Sequence, residues 1–574
     1  TLTSAPPLVS WEPAAGAVSY AVYLGASSSV QTQLLGRTAK LALGLPGLVP
    51  GATYYWRVDA ISEAGRITRG TVWRFTVPKG ELAQAENPGG QTATVGVPFV
   101  LPLALRAGSP DASRFIVTGL PSGLSANAAG VISGRPTKTG AYRVSAAAVN
   151  GYGNGPGEMF TLTVEPLPPV WVGSFSGLTG LEYDAEGADH SLCGAAQLAV
   201  SAAGAVSASI RLMDGTYKVS GVFTNGVGGV LFEKTFAMKS GGVATLRLRP
   251  YEDPALEQRG YRGELFSAAG VGGVVLTRHA WAEDKPALAE YAGYYTAVLP
   301  PEPGGDAAAV PQGVGYLTMS VGASGAVTLA GVLADGTAWS GSATAVRAPD
   351  GNGLVVPVFA TLYQSQGMLW GALRLAPNAV GVYDNEIGPY PGPFYFDAAA
   401  GGREGLVWFS ARRETSRSYP DGFDSGLLVS GGAYHADTVS LEALIGKRDH
   451  LLRLRFDPVS DSVCDPSVTI ALSGGAAWLP PAGTWNNPCK TTFAANAKTG
   501  LFSGTFTLSD TSAGKTVTRK VTYKGVLSPM KWTSGSVEYD SPGSGFFTVN
   551  ELLPSPSTSR YVSLGAQLLL APSE

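Results

Sequence analysis

The stretch Gly325-Ala-Val-Thr-Leu-Ala-Gly-Val-Leu-Ala-Asp-Gly-Thr337 has the pattern of two β-strands that meet at a tight turn. Apolar residues such as Val327 and Leu329 lie at even spacing, as in a strand with one buried face. The dipeptide Asp335-Gly336 is a typical hairpin turn signal. The stretch therefore predicts an antiparallel β-hairpin.

The same hairpin pattern occurs earlier, at Gly204-Ala-Val-Ser-Ala-Ser-Ile-Arg-Leu-Met-Asp-Gly-Thr216. A further match aligns Leu198-Ala-Val-Ser with Leu317-Thr-Met-Ser, and glycine punctuates a later strand of each unit. We therefore expect units of this kind to build the C-terminal two-thirds of the chain. Their two-residue side-chain period suits antiparallel barrels, closed or nearly closed, but also open sandwiches.

The composition indicates a chain of many short strands. Among 574 residues there are 76 glycines and only 14% charged residues, whereas glycine averages about 7% in ordinary proteins. No Gly-X-Y period occurs, and large apolar residues are spread throughout, so neither collagen nor a disordered tail fits. Glycine-rich strands with few helical patterns predict an all-β fold, and the length corresponds to roughly three to five domains.

Charge and hydropathy exclude two classes of function. The formal net charge is −3 and no basic run occurs, whereas nucleic-acid binding needs clustered lysine and arginine. No apolar run reaches the roughly 18 residues that a membrane helix requires. We therefore expect no nucleic-acid partner and no membrane span.

Three stretches near the start belong to one pattern. They are Leu8-Val-Ser-Trp-Glu-Pro13, Leu48-Val-Pro-Gly-Ala-Thr-Tyr-Tyr-Trp-Arg-Val58 and Val72-Trp-Arg-Phe-Thr-Val77. With them, residues 1–78 resemble a fibronectin type III module, which implies a β-sandwich. The resemblance makes Trp11 a core tryptophan and Tyr54 the corner tyrosine that bonds back to the chain before its strand. Because the strand that usually precedes Trp11 looks clipped, we expect a processed or excised part of a longer secreted chain.

A second pattern contains Thr118-Gly-Leu-Pro-Ser-Gly-Leu124 and Gly130-Val-Ile-Ser-Gly-Arg-Pro136, where proline and glycine shape turns and break strands. On these motifs, residues 79–167 resemble the Ig-like, cadherin-like modules of bacterial surface proteins. The resemblance implies a second β-sandwich in tandem with the first. The segment Glu165-Pro-Leu-Pro-Pro169 predicts a stiff linker after it.

The rest of the chain consists of glycine-punctuated aromatic strands, such as Trp171-Val-Gly-Ser-Phe-Ser-Gly177 and Glu290-Tyr-Ala-Gly-Tyr-Tyr295. In this it resembles the β-rich repeat region of large multi-module surface proteins of Planctomycetes- and Verrucomicrobia-type bacteria. That resemblance carries no assigned activity or site residues. We expect a β-repeat domain over 170–284 and a larger one over 285–574, which has room for two subdomains.

The chain has 3 cysteines. Cys464 and Cys489 lie in one loop-like region, and in an oxidising compartment a disulfide between them would staple it. The alternative is two unrelated buried thiols. Cys193 would then be left over.

Candidate sites for chemistry are few. The 4 histidines are scattered, and neither a Walker loop nor a nucleophile elbow occurs. We therefore expect no enzymatic activity and no cofactor, apart from one calcium hypothesis. Asp184, Glu186 and Asp189 have a spacing that suits the hard oxygen ligands of Ca²⁺, although acidic surface loops are common.

Tryptophan offers a second candidate. Trp478 and Trp485 lie in the loop region between the two cysteines, where they would provide stacking platforms for glycans. The alternative, for these and for the other aromatic residues, is packing in the core or at a barrel rim.

These patterns predict a non-catalytic, extracellular structural or adhesive protein of the cell surface. We expect it to associate with itself, as a subunit of a filament, sheath or surface layer, or with other surface proteins, because sandwich modules act as spacers and their edge strands can pair between protomers. The alternative is a carbohydrate-binding accessory region of a secreted polysaccharide-degrading enzyme.

Overall fold

The protein is an all-β chain, as the sequence predicts. The computed structural model describes residues 7–28, 33–45, 47–49, 51–77, 80–181, 190–226, 229–253, 258–279, 281, 289–348, 353–377, 385–389, 405–435, 451–473, 476–512, 514–534, 537–552 and 560–570. Single 3₁₀ turns occur at Pro169–Trp171, His190–Leu192, Ala289–Tyr291 and Tyr363–Ser365. In these described ranges, no helix has the length and apolar character needed to span a bilayer.

The chain divides into two compact units, Thr1–Pro166 and Leu167–Glu574. The first unit begins with strands β1 (Leu8–Ser10), β2 (Ala17–Gly25), β3 (Leu34–Thr38), β4 (Ala42–Gly44), β5 (Thr53–Ser62), β6 (Ile67–Thr68) and β7 (Trp73–Thr76). One sheet pairs β1 with β4, and the other has the order β3-β2-β5-β6, with β7 also on β5.

Two predicted features of this sandwich have different outcomes. The Tyr54 hydroxyl accepts a hydrogen bond of 3.1 Å from the Val49 amide, which is the corner bond that the resemblance implies. Trp11 is only half-buried and packs edge-on against Tyr20. The assignment of residues 1–78 to the fibronectin type III family stays a prediction.

The second sandwich contains strands β8 (Gln91–Thr94), β9 (Phe99–Pro102), β10 (Arg114–Thr118), β11 (Leu124–Ala126), β12 (Val131–Gly134), β13 (Gly140–Asn150), β14 (Gly153–Asn154) and β15 (Glu158–Glu165). One sheet has the order β10-β13-β15-β8 and the other β11-β12-β9. Buried side chains such as Ile132, Val144 and Leu162 fill the space between them. The glycines of the predicted motif allow close backbone contact, because a Cβ at Gly123 would collide with the carbonyl oxygen of Arg135.

This contact makes Gly123 a test of the second sandwich. We expect Gly123→Ala to destabilise it by more than the roughly 1 kcal/mol that a positive φ alone costs, because backbone must move. Gly108→Ala is the control, since Gly108 also has a positive φ but faces open space. Hydrogen exchange of the full chain should show a larger acceleration across residues 80–165 for Gly123→Ala than for Gly108→Ala. Equal exchange in the two variants would contradict the packing argument.

The second unit begins with a barrel. Its strands are β16 (Gly173–Leu181), β17 (Gly194–Val200), β18 (Ala205–Leu212), β19 (Gly215–Val222), β20 (Thr224–Gly226), β21 (Gly229–Ala237), β22 (Val243–Asp253), β23 (Gln258–Ser267) and β24 (Gly270–Arg278). All neighbours are antiparallel, and β24 returns to pair with β16. β19 and β20 are two halves of one strand that bends at the buried Phe223; the first half pairs with β18 and the second with β21. The sheet thus closes as an eight-stranded barrel, a size at which side chains fill the interior.

A second barrel repeats this topology. Its strands are β25 (Gly293–Leu299), β26 (Gly315–Val321), β27 (Ala326–Val332), β28 (Ala338–Thr344), β29 (Val346–Arg347), β30 (Leu354–Leu362), β31 (Gly367–Pro377), β32 (Asn385–Pro389), β33 (Leu406–Ser410), β34 (Phe423–Leu427) and β35 (Ser430–Ala433). β35 returns to pair with β25, and the buried Ala345 stands at the bend between β28 and β29. β33 and β34 form an extra hairpin on β31.

A third barrel completes the second unit. Its strands are β36 (Leu451–Phe456), β37 (Val468–Ser473), β38 (Ala476–Trp478), β39 (Ala494–Ala495), β40 (Leu501–Ser512), β41 (Lys515–Ser534), β42 (Val537–Asn550) and β43 (Tyr561–Leu570). β43 returns to pair with β36. The edge strands β38 and β39 are connected by residues 479–493 instead of by a bent strand. The range 285–574 therefore contains two barrels.

The repeat that the sequence revealed occupies equivalent places in the first two barrels. The predicted hairpins are β18–β19 and β27–β28, and Val327 and Leu329 face the core. Val200 occupies the place of Val321, because each pairs with the second residue of the following strand. The predicted alignment of Leu198 with Leu317 is therefore wrong by two residues. A shift of two residues still places Leu198 on the correct face of the sheet, because the side-chain period of a strand is two.

Candidate functional site

The loop between β38 and β39 is held by a disulfide. Cys464 and Cys489, the pair singled out from the sequence, are bonded, with their Cα atoms 6.3 Å apart and a sequence separation of 25. This Cα distance suits an ordinary disulfide. We call residues 479–493, with this disulfide, the stapled loop.

A buried asparagine organises the stapled loop from inside. The Asn487 side-chain amide donates to the carbonyl oxygens of Pro480 and Thr491, both at 3.0 Å. Its Oδ1 accepts from the Thr491 amide at 2.6 Å. A backbone bond from Gly483 to the Asn487 carbonyl closes the tip of the loop. Because these bonds and the disulfide fix the backbone, the side chains at the tip are presented on a rigid frame.

Two tryptophans point into solvent at this place. The Trp485 side chain at the loop tip is 88% exposed, and Trp478 at the end of β38 is 65% exposed. Other tryptophans do pack as the alternative predicted, since Trp339, Trp370 and Trp408 are buried. An exposed indole on a rigid loop is a feature of binding surfaces, because a large apolar ring is desolvated with little loss of conformational entropy.

The disulfide has a measurable effect on stability. We expect Cys489→Ser to lower the free energy of unfolding of the third barrel by about 3 kcal/mol, from the entropy of closing a loop of this length. Urea unfolding followed by tryptophan fluorescence measures it. Wild type with reductant should match the variant, whereas reductant should leave the variant unchanged. An unchanged wild type in reductant would contradict this role of the disulfide.

The calcium hypothesis concerns an acidic stretch that precedes β17. Asp184, Glu186 and Asp189 lie outside the described residues, so the hypothesis stays a prediction. Within the described ranges, no group of three or more His, Cys, Asp or Glu side chains is arranged to hold a metal ion.

A polar cluster that the sequence did not indicate lies where the first and second barrels meet. The His190 Nε2 atom lies 3.2 Å from Asp424 Oδ2, and the Cys193 Sγ atom lies 4.0 Å from His190 Nδ1. The spacing of His190 and Cys193 is visible in the sequence. Asp424 is 234 residues from His190, and only the folding of β34 against the first barrel brings them together.

The burial of this cluster favours a structural role. A cysteine, a histidine and an acid in this order are the parts of a nucleophilic site, but Cys193 is only 3% exposed. Apolar side chains of both barrels surround it, and the Trp370 indole donates to the carbonyl oxygens of Thr179 and Gly194 at 3.1 Å each. We therefore interpret the cluster as a joint between two barrels.

This joint predicts a pH dependence. Burial raises the pKa of the Asp424 carboxyl to about 6, above its usual value of about 3.9. Between these values the folded state holds a proton that the unfolded state releases, so stability is present at low pH and lost as pH rises through 6. From pH 7.5 to 5.0, we expect the wild type to gain about 1 kcal/mol relative to Asp424→Asn. Urea unfolding of both proteins at both pH values measures this, and parallel pH profiles would contradict it.

Comparison with known families identifies one part of the chain. Residues 82–165 match the family model described as Putative Ig domain. This match covers the second sandwich, where the sequence carries the Ig-like motifs, and leaves the remainder of the chain outside. A search of curated proteins finds no match to the chain.

Similarity to solved structures is weak. An alpha-galactosidase from Bacteroides fragilis, described as putative, matches at 22% identity over 16% of this chain and 20% of its own, with a TM-score of 0.13. Extracellular cadherin domains 1–5 of Protocadherin Gamma B2 match at 9% identity over 90% and 72%, with a TM-score of 0.14. Domains 4–9 of the surface layer protein SbsC match at 11% identity over 96% and 90%, with a TM-score of 0.17. These TM-scores do not establish a shared fold, and this chain spans about a fifth of the alpha-galactosidase.

Proposed function

We propose that the protein is a non-catalytic, extracellular structural or adhesive protein that associates through the stapled loop, with copies of itself or with other surface proteins. The observation that carries the proposal is the exposure of Trp485 on a backbone fixed by a disulfide and a buried asparagine. A rigid aromatic side chain of this kind is a typical energetic anchor of an interface.

The architecture supports a mechanical role over a chemical one. Large side chains occupy the barrel interiors: in the first barrel, for example, the rings of Phe175 and Tyr261 are packed edge to face with centroids 4.9 Å apart. Such interiors provide stiffness and leave little room for a substrate. The sandwiches and barrels then serve as structural modules that carry the exposed loops.

The disulfide and the Ig-type segment support an extracellular location. Disulfides persist in oxidising compartments and are rare in the cytosol. Residues 82–165 match an Ig-type family, and modules of this architecture are common in cell-surface proteins.

Self-association is tested with paired tryptophan variants. We expect Trp485→Ala to weaken self-association of the full chain about tenfold, the effect of losing one moderate anchor, without changing its thermal stability. Trp73→Ala is the matched control, because Trp73 is also an exposed tryptophan but lies at the start of β7 in the first sandwich. Sedimentation velocity over a concentration series measures the association, and negative-stain microscopy shows its product. A monodisperse monomer at high concentration would remove self-association from the proposal.

A carbohydrate-binding accessory role is the second candidate. Exposure of both Trp478 and Trp485 favours it, because sugars stack on exposed indole rings. A glycan array separates the two roles: glycan retention by the wild type that is lost in Trp485→Ala, together with a monomeric wild type, would favour the accessory role.

A further inference from the structure

The first strands of the first and second barrels can be aligned residue by residue from their pairing partners. Gly173 and Gly293 begin their first strands and pair with Val200 and Val321, which are equivalent. The residues that follow these glycines, Ser174 and Tyr294, are equivalent too, because each accepts the same backbone hydrogen bond. The His279 amide donates to the Ser174 carbonyl, and in the second barrel the Tyr434 amide donates to the Tyr294 carbonyl.

In the second barrel this place is filled. The Tyr294 hydroxyl donates to the Thr499 carbonyl at 3.1 Å, and the Tyr434 hydroxyl donates to the Ala497 carbonyl at 2.6 Å. The two rings lie edge to face with centroids 6.0 Å apart. Two tyrosines thus seal the second barrel against the loop that precedes β40 of the third.

In the first barrel the equivalent residues are small or short, and a groove is left. Ser174 stands in place of Tyr294, and His279 stands in place of Tyr434. The groove has a volume of about 510 Å³ and is open to solvent along one side. This volume lies within the usual range for small-ligand sites, about 300–1,000 Å³.

The register of the strands places polar side chains in rows along the groove. Gln197, Ser209 and Lys218 are cross-strand neighbours on the outer face of β17, β18 and β19. Ser207 and Ser220 form the adjacent row on the same face. Neighbouring strands lie about 4.8 Å apart. The rows therefore form a closely spaced array of hydroxyl and amide groups, each able to donate and accept.

A partly buried pair lies at the groove, where His279 contributes to the lining and Ser176 stands behind it. The Ser176 hydroxyl lies 2.7 Å from His279 Nε2, which fixes the orientation of the imidazole. Burial lowers the pKa of His279, so the ring is neutral near pH 7. Among the described residues that line the groove, Lys218 carries the remaining ionisable side chain, and no carboxylate is present.

We infer that this groove of the first barrel is a binding site for an oligosaccharide, with acidic sugars favoured through Lys218. Hydroxyl, amide, imidazole and ammonium groups on small side chains match the dense donors and acceptors of a polyhydroxylated chain. Because no carboxylate occurs among the described lining residues, the site can accept a uronate without charge repulsion. The inference concerns a different surface from the stapled loop and does not depend on self-association.

The second barrel supplies the variant that tests the site. Ser174→Tyr introduces the residue that Tyr294 already provides at the equivalent place, so it should fill the groove without disturbing the fold. Thr328→Tyr is the matched control, because Thr328 is an exposed outward residue of β27, equivalent to Ser207 of β18. Gln197→Ala removes hydrogen bonds without filling the groove.

Isothermal titration with hexameric oligogalacturonate and cellohexaose, after a glycan-array screen, measures binding to the full chain. We expect Ser174→Tyr to abolish binding, Gln197→Ala to weaken it about tenfold, and Thr328→Tyr and Trp485→Ala to leave it unchanged. Lys218→Gln should weaken the binding of oligogalacturonate about tenfold and leave the binding of cellohexaose unchanged.

The inference is overturned if no glycan binds, if Ser174→Tyr binds as well as the wild type, or if binding is lost only in Trp485→Ala. Self-association measured on Ser174→Tyr should match the wild type, which separates this site from the proposed function.

Discussion

The structure of the second unit depends on one backbone constraint, the return of the last strand of each barrel to its first. The pairs β16–β24, β25–β35 and β36–β43 are all antiparallel. In the first two barrels a bend at Phe223 or Ala345 lets one strand satisfy both of its neighbours. The sheets of these two barrels therefore close on themselves through the bent strand, and buried side chains fill their interiors.

Closure changes how assembly would work. The sequence led us to expect edge strands that pair between protomers, but in the first two barrels the bent strand pairs with one neighbour through its first half and with the other through its second half. In the third barrel, the described edge strands β38 and β39 do not pair with each other. Contacts through side chains, such as Trp485, fit this architecture better than backbone pairing does.

Alternating apolar residues were enough to predict the all-β class and the two hairpins, because a two-residue period is a local property. Register was not predictable to the residue, since a shift of two leaves Leu198 on the same face. The bends at Phe223 and Ala345 carry no proline or other local signal. The joint of His190 and Cys193 with Asp424 depends on contacts across the whole second unit. The residue type alone does not show whether a tryptophan is buried or exposed. Only the position of Trp485 in a loop distinguished it from Trp370.

The neighbouring positions of the first and last strands have a consequence for how such a chain grows. Since Gly173 and Arg278 belong to paired strands, the polypeptide enters and leaves the barrel on one side. A gene segment that encodes one barrel can then be duplicated or deleted without rerouting its neighbours. The same outer position holds a tyrosine that contacts the neighbouring barrel in one barrel and a serine that lines a groove in the other.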